Sequence, residues 1–132
     1  MGMGAVTWSS KKQYIVALSS TEAEYIALSH TAKEALWLKA FLAEIQVKDA
    51  MPIKIHCDNQ GSIALSKDNK FHGGTKHIDI RYHFIREAIA ARNVVVEYVA
   101  TEDNIADVFT KPLQWKRFKL LMKRMGLKVQ QR

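Results

Sequence analysis

The feature that most constrains this chain is a repeated change of apolar period. Tyr25, Leu28, Ala32, Ala35, Leu38, Leu42 and Ile45 recur at helical spacing, the stripe of one long amphipathic helix running from about Thr21 to Ile45. Ala50-Met51-Pro52 breaks the run, and Ile53, Ile55 and Cys57 then alternate with Lys54 and His56, the two-residue period of a half-buried strand. The exchange repeats downstream. Lys76 to Arg92 reads as a helix with Ile78, Tyr82, Ile85 and Ile89 on one side, stopped by Asn93, which tolerates a left-handed backbone. Val94 to Val99 is a β-branched strand. Upstream, Ala5 to Trp8 reads as a short strand that Lys11-Lys12-Gln13 interrupts and Tyr14 to Leu18 resumes.

Short helices complete the plan. One is expected over Asn59–Leu65 and one over Asn104–Thr110, the latter ended by Pro112. A last one spans Leu113–Met125, with Trp115, Phe118, Leu121, Met122 and Met125 as its apolar side and Gly126 as its stop. Strands alternating with helices make an α/β fold, here of about three strands with four to five helices. So small a sheet leaves little surface for that many helices, so a further piece of sheet is expected.

The 132 residues suit one domain, 1–132, with a basic helical C-terminal segment at 113–132. At 48% hydrophobic content the chain is a packed domain, not a disordered one. No run of 18 apolar residues exists, so no span of a membrane is expected. The N-terminus lacks the basic and apolar regions of a signal peptide. Cys57 is the only cysteine, which excludes an intrachain disulfide and fits a reducing, intracellular compartment, cytoplasm or nucleus. The net charge of +7 is uneven: residues 1–110 hold 12 Lys/Arg against 13 Asp/Glu, and residues 111–132 hold 8 Lys/Arg and no acid. Lys116, Arg117, Lys119, Lys123 and Arg124 are therefore candidate nucleic-acid-binding residues; a solvated helix face reads equally well.

Three carboxylates stand where chemistry is usually placed. Glu24 lies in the first turn of the long helix, Asp58 ends the strand 53–57, and Asp107 follows the strand 94–99. Sites in open α/β sheets form at the carboxyl ends of strands, and acids gathered there repel one another unless a cation binds. Magnesium suits such a set, because it takes a few carboxylates and accepts phosphate oxygens. Each acid has a plainer reading. Thr21 with Glu24 fits a capping box, Asp58 fits a cap for the helix after it, and Asp107 fits a solvated helix charge. His72, His77 and His83 lack the cysteines or i,i+4 histidine pair of a zinc site and read as surface or structural residues. Trp8, Trp37 and Trp115 are candidates for stacking on bases, although Trp37 and Trp115 sit in apolar helix patterns that point to the core.

Five blocks carry a resemblance. They are Val6-Thr7-Trp8-Ser9-Ser10-Lys11-Lys12-Gln13; Ala17-Leu18-Ser19-Ser20-Thr21-Glu22-Ala23-Glu24-Tyr25; His56-Cys57-Asp58-Asn59-Gln60; Thr75-Lys76-His77-Ile78-Asp79-Ile80-Arg81-Tyr82-His83-Phe84-Ile85-Arg86-Glu87; and Asn104-Ile105-Ala106-Asp107-Val108-Phe109-Thr110-Lys111-Pro112-Leu113. In this order and spacing they resemble the ribonuclease H domain of copia-type retrotransposon Pol polyproteins, from about residue 4 to residue 127. The resemblance implies a ribonuclease H-like fold and hydrolysis of RNA in RNA–DNA hybrids with magnesium, or manganese in its place. It also implies a reverse transcriptase portion of the same polyprotein as partner. The family's second, third and fourth metal-binding acids map onto Glu24, Asp58 and Asp107, which implies that these three converge; Glu22 is the neighbour most easily confused with the second.

The departures from the family matter as much. Its first two strands, the first bearing a catalytic Asp, would precede Ala5, and this chain has no Asp before residue 49. The segment Ala100–Asn104 lacks the loop His that some relatives carry. The expectation is a ribonuclease H-like fold lacking those strands, inactive by itself, with an open edge at Ile53–Cys57 that invites self-association. The alternative is a domesticated or remnant domain that binds nucleic acid or a protein partner. A metal-independent helical interaction domain is a third, weaker reading.

Overall fold

The computed structural model describes residues 7–14, 16–47, 52–68 and 76–127, the side chains of the last span from residue 80 onward. Its elements are α1 (Ser20–Glu44), β1 (Ile53–Cys57), α2 (Gln60–Lys67), α3 (Lys76–Ala90), β2 (Val94–Tyr98), a 3-10 turn (Thr101–Asp103), α4 (Asp107–Thr110) and α5 (Trp115–Arg124). They divide into two compact units: a larger one, Ala17–Val99, and a smaller one, Met1–Val16 with Ala100–Arg132.

The larger unit is built on β1 and β2, which pair in parallel from Ile53 opposite Val94 to Cys57 opposite Tyr98. Parallel neighbours require a crossover connection, and α2 and α3 supply it. The two-residue period works as expected: Ile55, Cys57, Val94 and Val96 turn to one face and are buried. They meet Tyr25, Leu28 and Ala32 of α1, Ile63 of α2, and Ile85 and Ala88 of α3 in a single core. The Tyr25 and Tyr82 rings lie 4.2 Å apart. On the other face Lys54 bonds Glu97 at 2.9 Å, and His56 and Val95 are exposed.

The expected upstream strand is not seen among the described residues. Among the described residues the sheet has two strands, not about three. Thr7 to Tyr14 and Val16 to Leu18 carry no strand; Ala5, Val6 and Ile15 lie outside the described residues. Tyr14, Val16 and Leu18 are 103%, 85% and 87% exposed. An apolar run forms a strand only where a neighbouring backbone takes up its hydrogen bonds and a core takes up its side chains, and the side chains of Tyr14, Val16 and Leu18 are not so covered.

Other expectations shift by a residue or two. The long helix is capped by Ser19, whose hydroxyl accepts from the Glu22 backbone N–H at 3.1 Å, and the Glu22 carboxylate accepts from the Leu18 N–H. The capping pair is thus Ser19 and Glu22, not Thr21 and Glu24. Likewise Asn59, not Asp58, caps α2: its side-chain oxygen accepts from the Ser62 N–H at 2.9 Å. At the end of α3 the left-handed residue is Arg92 (φ 54°), not Asn93. Asn93 instead accepts a hydrogen bond from the Lys39 ammonium at 3.1 Å. Gly126 is left-handed at φ 77°, as its place after the last helix requires.

Two tryptophans placed in the core by their helical pattern are on the surface. Trp37 is 63% exposed and Trp115 61%. Each instead stacks on a neighbour of its own helix, Trp37 on Phe41 with ring centroids 5.6 Å apart and Trp115 on Phe118 at 5.9 Å. Residues three or four apart on a helix meet in this way, which shelters part of a ring without any core. No helix among the described residues is long and apolar enough to cross a membrane.

Candidate functional site

Two of the three candidate acids lie in the larger unit. Asp58 follows the last residue of β1, at the carboxyl end of the parallel sheet, and is half-buried. Glu24 stands on the first turns of α1. The starts of α1 and α2 approach each other closely. The Ser62 hydroxyl donates to the Thr21 carbonyl at 2.8 Å. Gly61 gives room for it: a Cβ there would sit 3.0 Å from Thr21 Cγ2 and 3.1 Å from both Thr21 Oγ1 and Asn59 Oδ1. The cap chemistry of Asn59 and the missing side chain of Gly61 therefore set where Glu24 lies relative to the sheet.

Cys57 reports the result. Burial pushes its thiol above the ordinary range; a hydrogen bond with the Asn59 backbone opposes this, and the negative charges of Glu24 and then Asp58 push it further up. Both carboxylates thus act on one buried sulfur at the end of β1. The helix caps use Ser19, Glu22 and Asn59. Beneath Glu24, the Tyr25 hydroxyl is likewise held above its usual range, mainly by burial, with Arg86 opposing and Tyr82 adding.

Asp107 belongs to the smaller unit and has partners of its own. It is the first residue of α4 and only 2% exposed, so it is not the solvated helix charge its local sequence also allowed. Lys111, one turn on, bonds one oxygen at 2.9 Å, and Arg117 of α5 bonds the other at 2.7 Å. Arg117 also donates to the Thr101 carbonyl. Arg124, two turns after Arg117, pairs with Asp103. Asn104 accepts from the Ala106 N–H at 3.2 Å and fixes the turn into α4. The two cations fix α5 and the end of α4 to this carboxylate, because the buried Asp107 left unpaired would carry its full desolvation cost.

The five basic residues of α5 therefore divide. Arg117 and Arg124 are occupied by Asp107 and Asp103. Lys116, Lys119 and Lys123 are exposed, and the Lys119 ammonium lies 4.7 Å from the centroid of the Trp115 ring. The sequence did not foresee this division, although its signal was present: Asp103 and Asp107 are the last acids before the all-basic segment. Nor did it single out Ser19, Ser62 or Gly61. His83 is exposed; His72 and the side chain of His77 lie outside the described residues.

These residues can be tested against a divalent-metal centre by their donors. Glu24 and Asp58 offer two carboxylates, and magnesium takes one or two from a protein, with water and substrate phosphate making up the rest. Both oxygens of Asp107 are taken by cations. Among the described residues no three His, Cys, Asp or Glu side chains form a group able to hold a metal ion.

Comparison with known proteins gives a consistent relationship. The chain is 44% identical over 124 residues to the Retrovirus-related Pol polyprotein from transposon TNT 1-94 of Nicotiana tabacum, covering 94% of this chain and 9% of that one. It is 39% identical over 127 residues to the Pol polyprotein from transposon RE1 of Arabidopsis thaliana, covering 96% and 9%. It is 33% identical over 118 residues to the Truncated transposon Ty1-A Gag-Pol polyprotein of Saccharomyces cerevisiae, covering 85% and 9%. No protein-family model matches, and no solved structure does. The chain is thus homologous over most of its length to copia- and Ty1-type retrotransposon Pol polyproteins, and it spans about a tenth of the length of these relatives.

Proposed function

We propose that the chain is the ribonuclease H-like portion of a retrotransposon Pol polyprotein, and that these 132 residues do not cleave nucleic acid by themselves. The observation that carries the first half is the placement of Glu24 and Asp58. Two acids on different elements, 34 residues apart, act on one buried thiol at the carboxyl end of a parallel sheet, where α/β folds set their sites. The homology to Pol polyproteins and the five motif blocks support the same reading. In that setting the domain's substrate is the RNA strand of an RNA–DNA hybrid, its cofactor magnesium or manganese, and its partner the reverse transcriptase portion of the same polyprotein.

The second half rests on Asp107. A divalent ion could use this carboxylate only if Lys111 and Arg117 gave it up. In the two-ion arrangement each metal holds the attacking or the leaving oxygen. Losing one such interaction, worth several kcal/mol, slows a reaction by roughly a thousandfold or more. That ion-paired Asp107 equally favours a second reading, a non-catalytic domain that uses its surface for binding.

The test incubates the purified chain with a labelled RNA–DNA hybrid and magnesium or manganese. No cleavage is expected. Cleavage that disappears in Asp58→Asn would refute the proposed inactivity. A second arm fuses an upstream segment carrying an Asp-bearing strand. Cleavage restored by that segment, and abolished by either its own Asp→Asn change or Asp58→Asn, supports the ribonuclease reading. A folded fusion that stays silent supports the non-catalytic one.

A further inference from the structure

The division of α5 has a consequence beyond hydrolysis. At 3.6 residues per turn, Lys116, Lys119 and Lys123 fall within about 60° of arc, with Trp115 about 40° from its nearer edge. Arg117 and Arg124 lie within about 20° of each other on a different flank, where Asp107 and Asp103 hold them. Leu121 and Met125, both buried, fall on a third. The helix thus has an anchoring flank of arginines, an inner flank of apolar residues and an outer stripe of three lysines beside an exposed indole.

We propose that this outer stripe is a binding platform for single-stranded nucleic acid, with Trp115 stacking on a base and Lys116, Lys119 and Lys123 following the phosphates. Four observations carry it. Trp115 is 61% exposed, so much of its ring is open to a ligand. Phe118 stacks on it with rings 18° from parallel, holding the indole in a fixed plane. The Lys119 ammonium lies over the ring, 4.7 Å from its centroid, on a flexible stem that swings to the phosphate when a base takes its place on the indole. No acid lies anywhere from residue 111 to the end of the chain, so nothing on the helix itself neutralises the stripe. A flat aromatic among lysines is the surface that takes bases without reading their sequence. A duplex hides its base faces and would use only the charges; an acidic peptide would use the lysines and leave the ring idle. The platform needs none of the three carboxylates, so it stands or falls separately from the ribonuclease reading.

The experiment measures binding of the full chain, without added metal, to four probes: a 15-nucleotide oligo(dT), an abasic strand of the same length, a DNA duplex, and poly-glutamate of matched charge. Oligo(dT) is expected to bind about tenfold more tightly than the abasic strand, the low end of what one stacked base contributes. Trp115→Ala should erase that difference while leaving abasic binding in place, and Trp115→Phe should keep part of it. With three lysines on phosphates, the logarithmic salt slope on the single strand is expected near 2, at roughly 0.7 per phosphate. Replacing Lys116, Lys119 and Lys123 by Gln should flatten it. Thermal melts of each variant establish that it folds; Trp115 and the lysines are exposed, so their melts are expected to match the parent. Equal binding of oligo(dT) and abasic strand, equal binding of duplex or poly-glutamate, or an unchanged salt slope in the triple-lysine variant would each overturn the platform.

Discussion

The two units of the chain are held by different physics. In Ala17–Val99, ten buried side chains from three helices and two strands meet in one apolar core. In the smaller unit, the described residues from Thr101 to Leu127 are tied by charge and capping. Asp107 sits between Lys111 and Arg117, Asp103 pairs with Arg124, and the side chain of Asn104 holds the turn. Its buried apolar side chains are Leu121 and Met125. An apolar core is non-directional and insensitive to salt, whereas ion pairs depend on geometry and are screened where they reach solvent. A chain built this way should lose its parts by different routes, and the candidate acids sit on both sides of that difference.

The largest effect is expected from the apolar core. Ile85 is completely buried in it. Ile85→Ala removes three methyl or methylene groups and leaves a cavity, at a cost of about 2–5 kcal/mol. Measured by hydrogen exchange, protection should fall across β1, α3 and β2. The melt should be indifferent to salt. Protection retained at Val94 and Val96 would mean that the core is not one cooperative cluster.

The next effect sharpens the contrast. Asp107→Ala removes the carboxylate that Lys111 and Arg117 share, and breaking a buried pair typically costs about 3–5 kcal/mol. The low end applies, because Lys111 and Arg117 are 47% and 32% exposed and water can take up much of what they lose. Exchange should quicken through α4 and α5 while β1 and β2 keep their protection, and the parent's own protection in α4 and α5 should weaken with added salt. A uniform loss over both units would show that they melt together and that the comparison fails.

How far the sequence reached follows the same division. The core was legible because apolar period is a local signal: Ile55, Cys57, Val94 and Val96 on the strands, and Tyr25, Leu28, Ala32 and Ile85 on the helices, are buried as their spacing requires. The strand expected from Tyr14 to Leu18 is not seen among the described residues, because an apolar run says nothing about whether a partner strand is at hand. Trp37 and Trp115 fail because a helical stripe does not record how much of it the rest of the fold covers. Of the site, the candidate positions were legible, but not their environments. Which carboxylate a cap consumes was decided by a two-residue shift to Ser19 and Glu22, and which cations Asp107 meets was decided by α5, ten residues on. Such choices depend on geometry between elements, which no local pattern contains.

The smallest effect tests the joint that brings Glu24 to the sheet. Gly61 lies in the first turn of α2, and alanine is the better helix former by up to about 1 kcal/mol in a helix interior, less at an end. Against that gain stand three contacts at 3.0–3.1 Å, with Thr21 Cγ2, Thr21 Oγ1 and Asn59 Oδ1. None can yield cheaply. Thr21 is β-branched and stiff at its first side-chain torsion, and its carbonyl already accepts from Ser62. Asn59 is held by its cap on the Ser62 N–H. Crowding a packed site costs typically about 1–3 kcal/mol, so Gly61→Ala is expected to destabilise by about 1 kcal/mol net despite the better propensity. Gly61→Ser should cost at least as much. The double variant Gly61→Ala, Thr21→Ser removes Cγ2, the nearest of the three atoms, and should recover part of the loss. The measurement is a set of denaturant melts with a double-mutant cycle between positions 21 and 61. A Gly61→Ala variant more stable than the parent, or a cycle with no coupling, would show that the two helix starts are not wedged together and that something other than Gly61 sets the position of Glu24.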